Sequence, residues 1–335
     1  MSMDLNIKAL RTNEYRESKI RGEFMVSIRV PGAIFPVNLL PTVQKIAERY
    51  GDGTIHMGTR QKIAIPRIKA KDIDSVNKML QPIIEEIECN ICGVDIEDTT
   101  KGYPTIGARN ITNCIGNVHC VKANVNTVSI ARRFEKTIFP NHYHIKISVA
   151  GCPNDCVKAT FSDFGIIGVS KIDFDYYRCI GCGACVKACK NHATNALAGK
   201  NGKAVKEESK CIGCGECVLV CPTSAWTRNP KKFFRVKIGG RTGKKTPRAG
   251  KTFLNWVTEE HLHQIVKNIF KFSDYMLEGK PVYLHFGHLI DKAGYNKFKD
   301  FVLDGIELNQ EALVADRIYW YEDETTADIH LKSNK

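Results

Sequence analysis

Fourteen cysteines are spread unevenly along 335 residues. Eight of them form two copies of one pattern, Cys179-x2-Cys182-x2-Cys185-x3-Cys189 and Cys211-x2-Cys214-x2-Cys217-x3-Cys221, and CIGCGACV at 179–186 recurs as CIGCGECV at 211–218. Three thiolates at three-residue intervals can wrap one corner of an iron–sulfur cubane, and the intervening glycines let backbone amides reach the inorganic sulfides. A zinc site or a disulfide knot gives no reason for two matching eight-residue copies. Four more cysteines obey another rule: Cys114-x5-Cys120, then Cys152-x3-Cys156 within Gly151-Cys-Pro-Asn-Asp-Cys156. Zinc pairs favour shorter gaps, and the repeated run differs too. Cys89 and Cys92 form a lone C-x2-C, read as small, half-buried hydrophobes; a redox dithiol would call for a supporting His or βαβ pattern.

The repeated run resembles the bacterial two-cluster ferredoxins, in which the fourth cysteine of each motif ligates the other cluster. That resemblance implies one [4Fe-4S] cluster on Cys179, Cys182, Cys185 and Cys221, and a second on Cys211, Cys214, Cys217 and Cys189. Lys190 replaces the Pro usual after the first motif; Pro222 keeps it after the second. The remaining four cysteines resemble the signature of the sirohaem-dependent sulfite and nitrite reductases, C-x5-C followed by G-C-P-N-x-C. The resemblance implies a third [4Fe-4S] cluster on Cys114, Cys120, Cys152 and Cys156, with Cys156 also ligating the iron of a sirohaem. A shared thiolate would give a six-electron reduction at one iron a directly coupled electron store.

The same family resemblance extends along nearly the whole chain. Gly58-Thr-Arg-Gln61 matches its T-R-Q element, Ala108-Arg-Asn110 its second arginine element, and Gly239-Gly-Arg-Thr-Gly243 with the basic run to Arg248 a later loop. By that match Arg60 and Arg109 are substrate arginines. The family's Lys-x-Lys element falls on His144-Ile-Lys146, so Lys146 matches and His144 departs, trading a fixed cation for a group that can donate a proton near neutral pH. Sulfite is an anion that must shed oxygen as water, so fixed positive charge and proton donors suit it. Arg241, Lys244, Lys245 and Arg248 are candidates for the sirohaem carboxylates, or for docking an acidic electron donor. Gly250-Lys-Thr252 mimics the end of a phosphate loop, but Lys245 occupies the place of its leading Gly, which excludes nucleotide binding there.

Charge fits the same cofactors. Lys plus Arg exceed Asp plus Glu by 49 − 36 = 13. Each thiolate-bound cubane adds about −2, and the roughly eight carboxylates of a sirohaem add about −8. Those terms nearly cancel the excess, and no helix-turn-helix, RNP-like or zinc-finger pattern points to nucleic acid. No apolar run approaches a membrane span and the N-terminus has no apolar signal core, so a cytoplasmic location is expected, where free thiols persist.

Hydrophobic periodicity supplies the elements that must position these groups. Strands are predicted at Phe24 to Val30, Thr54 to Met57, Lys62 to Pro66 and Ile91 to Ile96. Helices are predicted from Pro41 to Tyr50 and onward from an Asp72 cap through Ile73, Val76, Leu80, Ile83, Ile84 and Ile87, with Pro82 as a kink. Together they predict a β-α-β-β-α-β ferredoxin-like sandwich. Beyond it come a helix at Asn126 to Ile138, strands at Tyr143 to Val149, Phe164 to Ile172 and Phe233 to Ile238, and a long helix capped by Thr258. The final dozen residues are polar and expected to be mobile.

The expected fold is α+β. It comprises a ferredoxin-like half-domain (1–100), a sirohaem and [4Fe-4S] binding catalytic domain (101–172 and 230–335), and an inserted two-cluster ferredoxin module (173–229). The expected activity is reduction of sulfite. Nitrite reductase, or a non-catalytic iron–sulfur electron-transfer subunit, is the alternative. Expected partners are flavin and iron–sulfur subunits drawing on a reduced nicotinamide, because the chain has no dinucleotide fingerprint of its own. A second copy of the chain is also expected: one half-domain and one set of haem-site cysteines would leave a wall of the macrocycle open.

Overall fold

The computed structural model describes residues 10–11, 13–105, 110–140, 142–143, 145–243, 247–280 and 284–320. Its first unit contains strands β1 (Tyr15–Glu17) and β2 (Glu23–Ile28), helix α1 (Leu40–Tyr50), strands β3 (His56–Gly58) and β4 (Lys62–Lys69), and helix α2 (Ile73–Ile84). The strands form an antiparallel sheet in the order β1-β2-β4-β3. Val43 and Ile46 of α1 and Val76, Leu80 and Ile83 of α2 recur at helical spacing and bury against Phe24, Val26, Ile63 and Ile65.

One predicted strand is absent. Residues 91–96 form no strand; Glu85–Ile91 winds on from α2 as a wide π turn, and the fourth strand is β1, N-terminal to the expected set. The amides of Gly93 and Val94 close back on the carbonyls of Cys89 and Glu88. This winding turns Glu88 inward, where it meets Arg29 Nε at 3.3 Å with both side chains fully buried. Arg29 also pairs with buried Glu135 from the next unit, so the ion triad ties the two units together. Asp72 makes no capping bond; a short 3-10 turn, Ala70–Asp72, leads into α2 instead.

The second unit continues with β5 (Thr112–Asn113), α3 (Thr127–Ile138), β6 (Ile147–Ala150), β7 (Phe164–Val169), β8 (Ile172–Phe174), α4 (Ala184–His192), β9 (Leu197–Lys200) and β10 (Lys203–Lys206). It ends with α5 (Glu216–Val220), β11 (Trp226–Arg228), β12 (Phe233–Ile238), β13 (Lys251–Val257), α6 (Glu259–Leu277), α7 (Phe286–Ala293), α8 (Tyr295–Leu303) and β14 (Leu313–Val314). A six-stranded sheet runs β14-β13-β12-β7-β6-β5, in which β5, β6 and β7 are parallel and the remaining pairs antiparallel. Ile130 and Phe134 of α3, Leu262 and Ile269 of α6 and Phe286 and Phe298 of α7 and α8 join Ile147, Ile166 and Val236 of the sheet in one core.

Asn126 caps α3, its side chain accepting from the Ser129 amide at 3.1 Å. Thr258 occupies the N-cap position of α6, but its hydroxyl meets the Glu260 carboxylate at 2.9 Å rather than a backbone amide. The strand predicted from Tyr143 begins only at Ile147. The run predicted from Phe164 to Ile172 divides into β7 and β8, because the chain leaves the large sheet at Ser170, whose amide donates to the Gly213 carbonyl at 3.0 Å.

Residues 172–228 carry a small core of their own, built on Ile172, Cys185, Cys189, Leu197, Ala204 and Trp226. Strands β8 and β11 pair antiparallel at its base, and β9 and β10 form a hairpin between the two cysteine runs. No helix among the described residues is long and apolar enough to cross a membrane.

Candidate metal centre

The repeated cysteine runs fold as repeats. Gly181 and Gly213 both have φ 69°, and Gly183 and Gly215 have φ 73° and 79°. A left-handed backbone there is open to glycine at little cost. Gly181 is doubly constrained, since a Cβ would lie 2.1 Å from the Gly202 carbonyl oxygen. Gly183 and Gly215 then start α4 and α5, each of which carries the third cysteine of its run inward.

The two loops line two separate cavities. One, with an empty volume of about 610 Å³, is lined by Cys179, Cys182, Cys185 and Cys221. The other, about 360 Å³, is lined by Cys189, Cys211, Cys214 and Cys217. These groupings cross between the runs: α4 carries Cys189 away from its own loop toward the second, and α5 returns Cys221 to the first. The exchanged thiols are held alike, Cys189 Sγ accepting from the Ala196 amide and Cys221 Sγ from the Ala225 amide, both at 3.2 Å. Burial, and then the neighbouring thiols Cys214 and Cys211, push Cys217 up to about 12. Burial raises Cys185 and Cys214 as well. At Cys221 burial acts upward too, but the Trp226 amide and the Thr223 hydroxyl outweigh it and the thiol falls below its ordinary value. Thiols that resist ionisation through burial, and secondarily through one another's charge, are relieved by a bound cation, which couples metal binding to their deprotonation.

The third set is assembled by topology. β5 and β6 lie side by side and parallel, pairing Thr112 with Ser148 and Asn113 with Val149. Cys114 leaves the end of β5 and Cys152 lies just past the end of β6, so both emerge at one edge. The Gly151 amide donates to Cys114 Sγ at 3.1 Å. A Cβ on Gly151 would lie 2.7 Å from that of Ala123, so only glycine fits. Gly116, whose carbonyl accepts from the Cys120 amide at 2.9 Å, packs against Gly151, and the Asp155 amide closes on the Cys152 carbonyl at 3.1 Å, so the four cysteines share one locality; burial first, and then the charges of Cys114, Cys156 and Cys120, raise the Cys152 thiol. Asp155, at φ 48°, accepts from the amides of Ala159 and Thr160 at 2.6 and 2.9 Å. That knot presents Cys156 to solvent while Cys152 is buried. Among the described residues no three His, Cys, Asp or Glu side chains are spaced for one metal ion. Thiolates that each bind a different iron of a cubane stand farther apart than ligands converging on one ion. Cys89 and Cys92 lie apart from all three sets, their thiols raised chiefly by burial, Cys92 to about 12.

The expected basic residues divide. Arg60 donates from Nε and Nη2 to the Asn110 carbonyl at 3.1 and 2.8 Å, and from Nη2 to the Ile147 carbonyl at 2.9 Å, so its guanidinium is fixed across the parallel strands. Gln61 completes the turn, exchanging hydrogen bonds with the amide and carbonyl of Asn113 at 2.9 and 2.7 Å. The Lys146 amide donates to Asp163 at 3.0 Å. Arg241 is buried and exchanges two backbone hydrogen bonds with Arg248, both 3.0 Å. Arg248 is an interior ion pair: Nη1 meets Asp291 at 2.9 Å, Nε meets the Gly239 carbonyl at 2.6 Å, and the Trp320 ring lies 3.9 Å away. Its Nη2 is buried with no hydrogen-bond partner among the described residues. Arg109, His144, Lys244 and Lys245, like the final dozen residues, lie outside the described residues.

Sequence reasoning missed the polar residues that hold this region. Buried Asn110 donates to the carbonyls of Val30, Arg60 and Gln61, and buried Asn113 to those of Gly32 and Cys114, at 3.0 to 3.2 Å. Fully buried Asp163 accepts from the Phe286 amide at 3.0 Å and contacts His285 Nδ1 at 3.2 Å. His288 is pushed down to about 4 by burial, and then by Arg241, His285 and Arg248. None of these positions has a spacing that marks it in sequence.

The second cysteine loop docks on the third set. Asn124 Nδ2 donates to the Gly213 carbonyl at 3.1 Å, and its backbone amide to the Gly151 carbonyl at 2.7 Å. Arg228 Nε holds Asn124 Oδ1 at 3.0 Å, and Lys122 reaches Glu216 at 2.8 Å. One asparagine therefore bridges residue 213, beside Cys214, to residue 151, beside Cys152.

Two family models match the chain: the nitrite and sulphite reductase 4Fe-4S domain over residues 106–311, and the nitrite/sulfite reductase ferredoxin-like half domain over residues 17–83. One subunit of the anaerobic sulfite reductase of Salmonella typhimurium is 59% identical over 333 residues, 99% of each chain. The subunit of the same name from Salmonella typhi gives the same figures. Among solved structures, a dissimilatory sulfite reductase I superposes with a TM-score of 0.62 at 16% identity, over 92% of this chain and 76% of its own.

Proposed function

This chain belongs to the nitrite and sulfite reductase family, and from that premise we propose that it is the catalytic subunit of a sulfite reductase, carrying sirohaem and three [4Fe-4S] clusters. The observation that carries the reading is the sorting of twelve cysteines into three sets of four. Two sets line separate cavities, and the third gathers at the edge of β5 and β6. The side chains fit the groups. Glycines stand where a Cβ would strike neighbouring backbone, at Gly181 and Gly213, or crowd Cys114 Sγ, at Gly151, and four thiols per set match the four irons of a cubane. When bound, the haem and clusters supply the electrons and the iron at which sulfite is reduced to sulfide.

The protein's own residues hold and protonate the anion. Arg60, its guanidinium anchored by two backbone carbonyls, supplies fixed positive charge, with Arg109 as its expected companion. Lys146, its backbone set by Asp163, and His144 are the proposed proton donors as oxygen leaves as water. Arg241, with Lys244 and Lys245, is assigned to the haem carboxylates. Arg248 positions that loop through Asp291. Residues 173–229 act as an inserted ferredoxin module that feeds the site, working in the cytoplasm with flavin and iron–sulfur subunits linked to a nicotinamide. A second copy of the chain closes the open wall of the pocket.

Turnover assays on anaerobically purified protein with a reduced dye test the reading. Sulfide release with sulfite, faster than ammonia release with nitrite, supports it. Ammonia release alone would assign the chain to nitrite, and neither product would leave an electron carrier.

A further inference from the structure

The two cysteine-lined cavities of residues 172–228 face different neighbours. The second loop is covered: its Gly213 carbonyl receives Ser170 and Asn124, and Glu216 receives Lys122. The first loop is bare. Gly181, Cys182 and Gly183 are exposed, Ile180 is 66% exposed and Tyr177 93%. A tyrosine so open next to an exposed aliphatic side chain is the kind of residue that anchors protein interfaces.

This surface is held rigid. Lys203 Nζ lies 4.8 Å from the Tyr176 ring and donates to the carbonyls of Tyr176, at 3.2 Å, and Cys179. The Tyr176 and Tyr177 rings meet edge-on at 5.9 Å. It is also positive. Between residues 175 and 203, Arg178, Lys187, Lys190, Lys200 and Lys203 stand against the single acid Asp175, which Arg178 meets at 3.5 Å. Lys200 and Lys203 line the Cys179 cavity itself.

We propose that the face around Tyr177, Ile180 and Lys200 docks an acidic, one-electron carrier protein, so that electrons enter at the Cys179, Cys182, Cys185 and Cys221 site and leave through the Cys189, Cys211, Cys214 and Cys217 site. The assignment rests on the reading that both sites hold clusters. Each docking moves one electron: the carrier is oxidised by one, the site is reduced by one, and no bond or proton changes hands. Six such encounters meet the demand of one sulfite. Charge complementarity selects the partner and speeds the encounter, and the aromatic rim gives the contact its dry centre.

The test is an anaerobic fluorescence titration of the cluster-loaded protein with a labelled, acidic bacterial ferredoxin as probe. The double variant Arg178→Glu, Lys187→Glu is expected to weaken binding at least about tenfold at low salt. Tyr177→Ala weakens it about fivefold or more, with little dependence on salt, and Lys271→Glu on α6 leaves it unchanged. Equal binding by all variants, no binding by the unaltered protein, or equally tight binding of a basic carrier would overturn the proposal, as would saturation of the face by self-association. Iron content and dye-driven sulfite reduction of the same variants should stay at the unaltered level, because a small dye needs no docking face. Failure of dye-driven turnover in the unaltered protein would refute the catalytic reading and leave the binding result standing.

Discussion

Two regions of this molecule gather cysteines by different means. In residues 179–221 the chain itself does the gathering: three cysteines per loop, glycines at matching left-handed angles, and one short helix that carries the fourth thiol to the other loop. At the Cys114, Cys120, Cys152 and Cys156 set no local loop suffices. Parallel pairing of β5 with β6 delivers two of the thiols, and the first unit braces that edge where Gln61 and the carbonyls of Arg60 and Gly32 meet Asn110 and Asn113. A site built from local spacing can form wherever its loop folds, whereas a site built from topology depends on every contact that sets the sheet.

The largest expected effect separates the sites by chemistry. Cys156→Ser should abolish sulfite reduction, while Cys221→Ser should leave measurable dye-driven turnover, since a small dye can bypass the distal site. Equal partial losses in both variants would show that Cys156 has no bridging role.

Next comes the brace. Arg29→Met leaves Glu88 and Glu135 buried without their cation, which should cost about 3–5 kcal/mol in denaturant unfolding. Thiol labelling should then expose Cys114 and Cys152 before the cysteines of 179–221; simultaneous exposure would contradict the independence of the two regions.

A smaller effect concerns acid. His288 lies near 4 in the folded protein against 6.5 ordinarily, so the unfolded chain binds the extra proton first. Stability is therefore complete above about 6.5 and declines as pH falls toward 4. His288→Gln should flatten that slope in melts recorded across the window. Smallest of all, Lys122→Ala removes the half-exposed cation that pairs with largely buried Glu216 and should cost about 1 kcal/mol, yet slow electron delivery from a protein donor more than from a dye.

The same contrast explains what could be read from the sequence. The crossed cysteine sets of 179–221 were legible because the repeated run resembles the two-cluster ferredoxins, in which the fourth cysteine of each motif serves the other cluster. The helix at Asn126 to Ile138 and the strand Phe233–Ile238 were legible from hydrophobic periodicity. Residues 91–96 misled because Cys92, Val94 and Ile96 alternate like a strand, while burial of Glu88 beside Arg29, 59 positions away in sequence, keeps the preceding turn wound. Asn113, Asn124 and Asp163 were invisible for a related reason, and Asn110 was legible only as the end of an arginine motif: each acts through backbone groups brought near by tertiary structure, and backbone groups leave no trace in a sequence. The basic run from Arg241 to Arg248 looked uniform, yet Asp291 takes Arg248 into the interior.

The most direct test of the central claim is an iron and acid-labile sulfide analysis with an absorption spectrum, on protein purified without oxygen. Three sets of four thiolates with one bridged haem predict about thirteen irons per chain and a reduced-porphyrin band. About eight irons with no such band would contradict the account, leaving two clusters in residues 179–221 and no catalytic centre at Cys156.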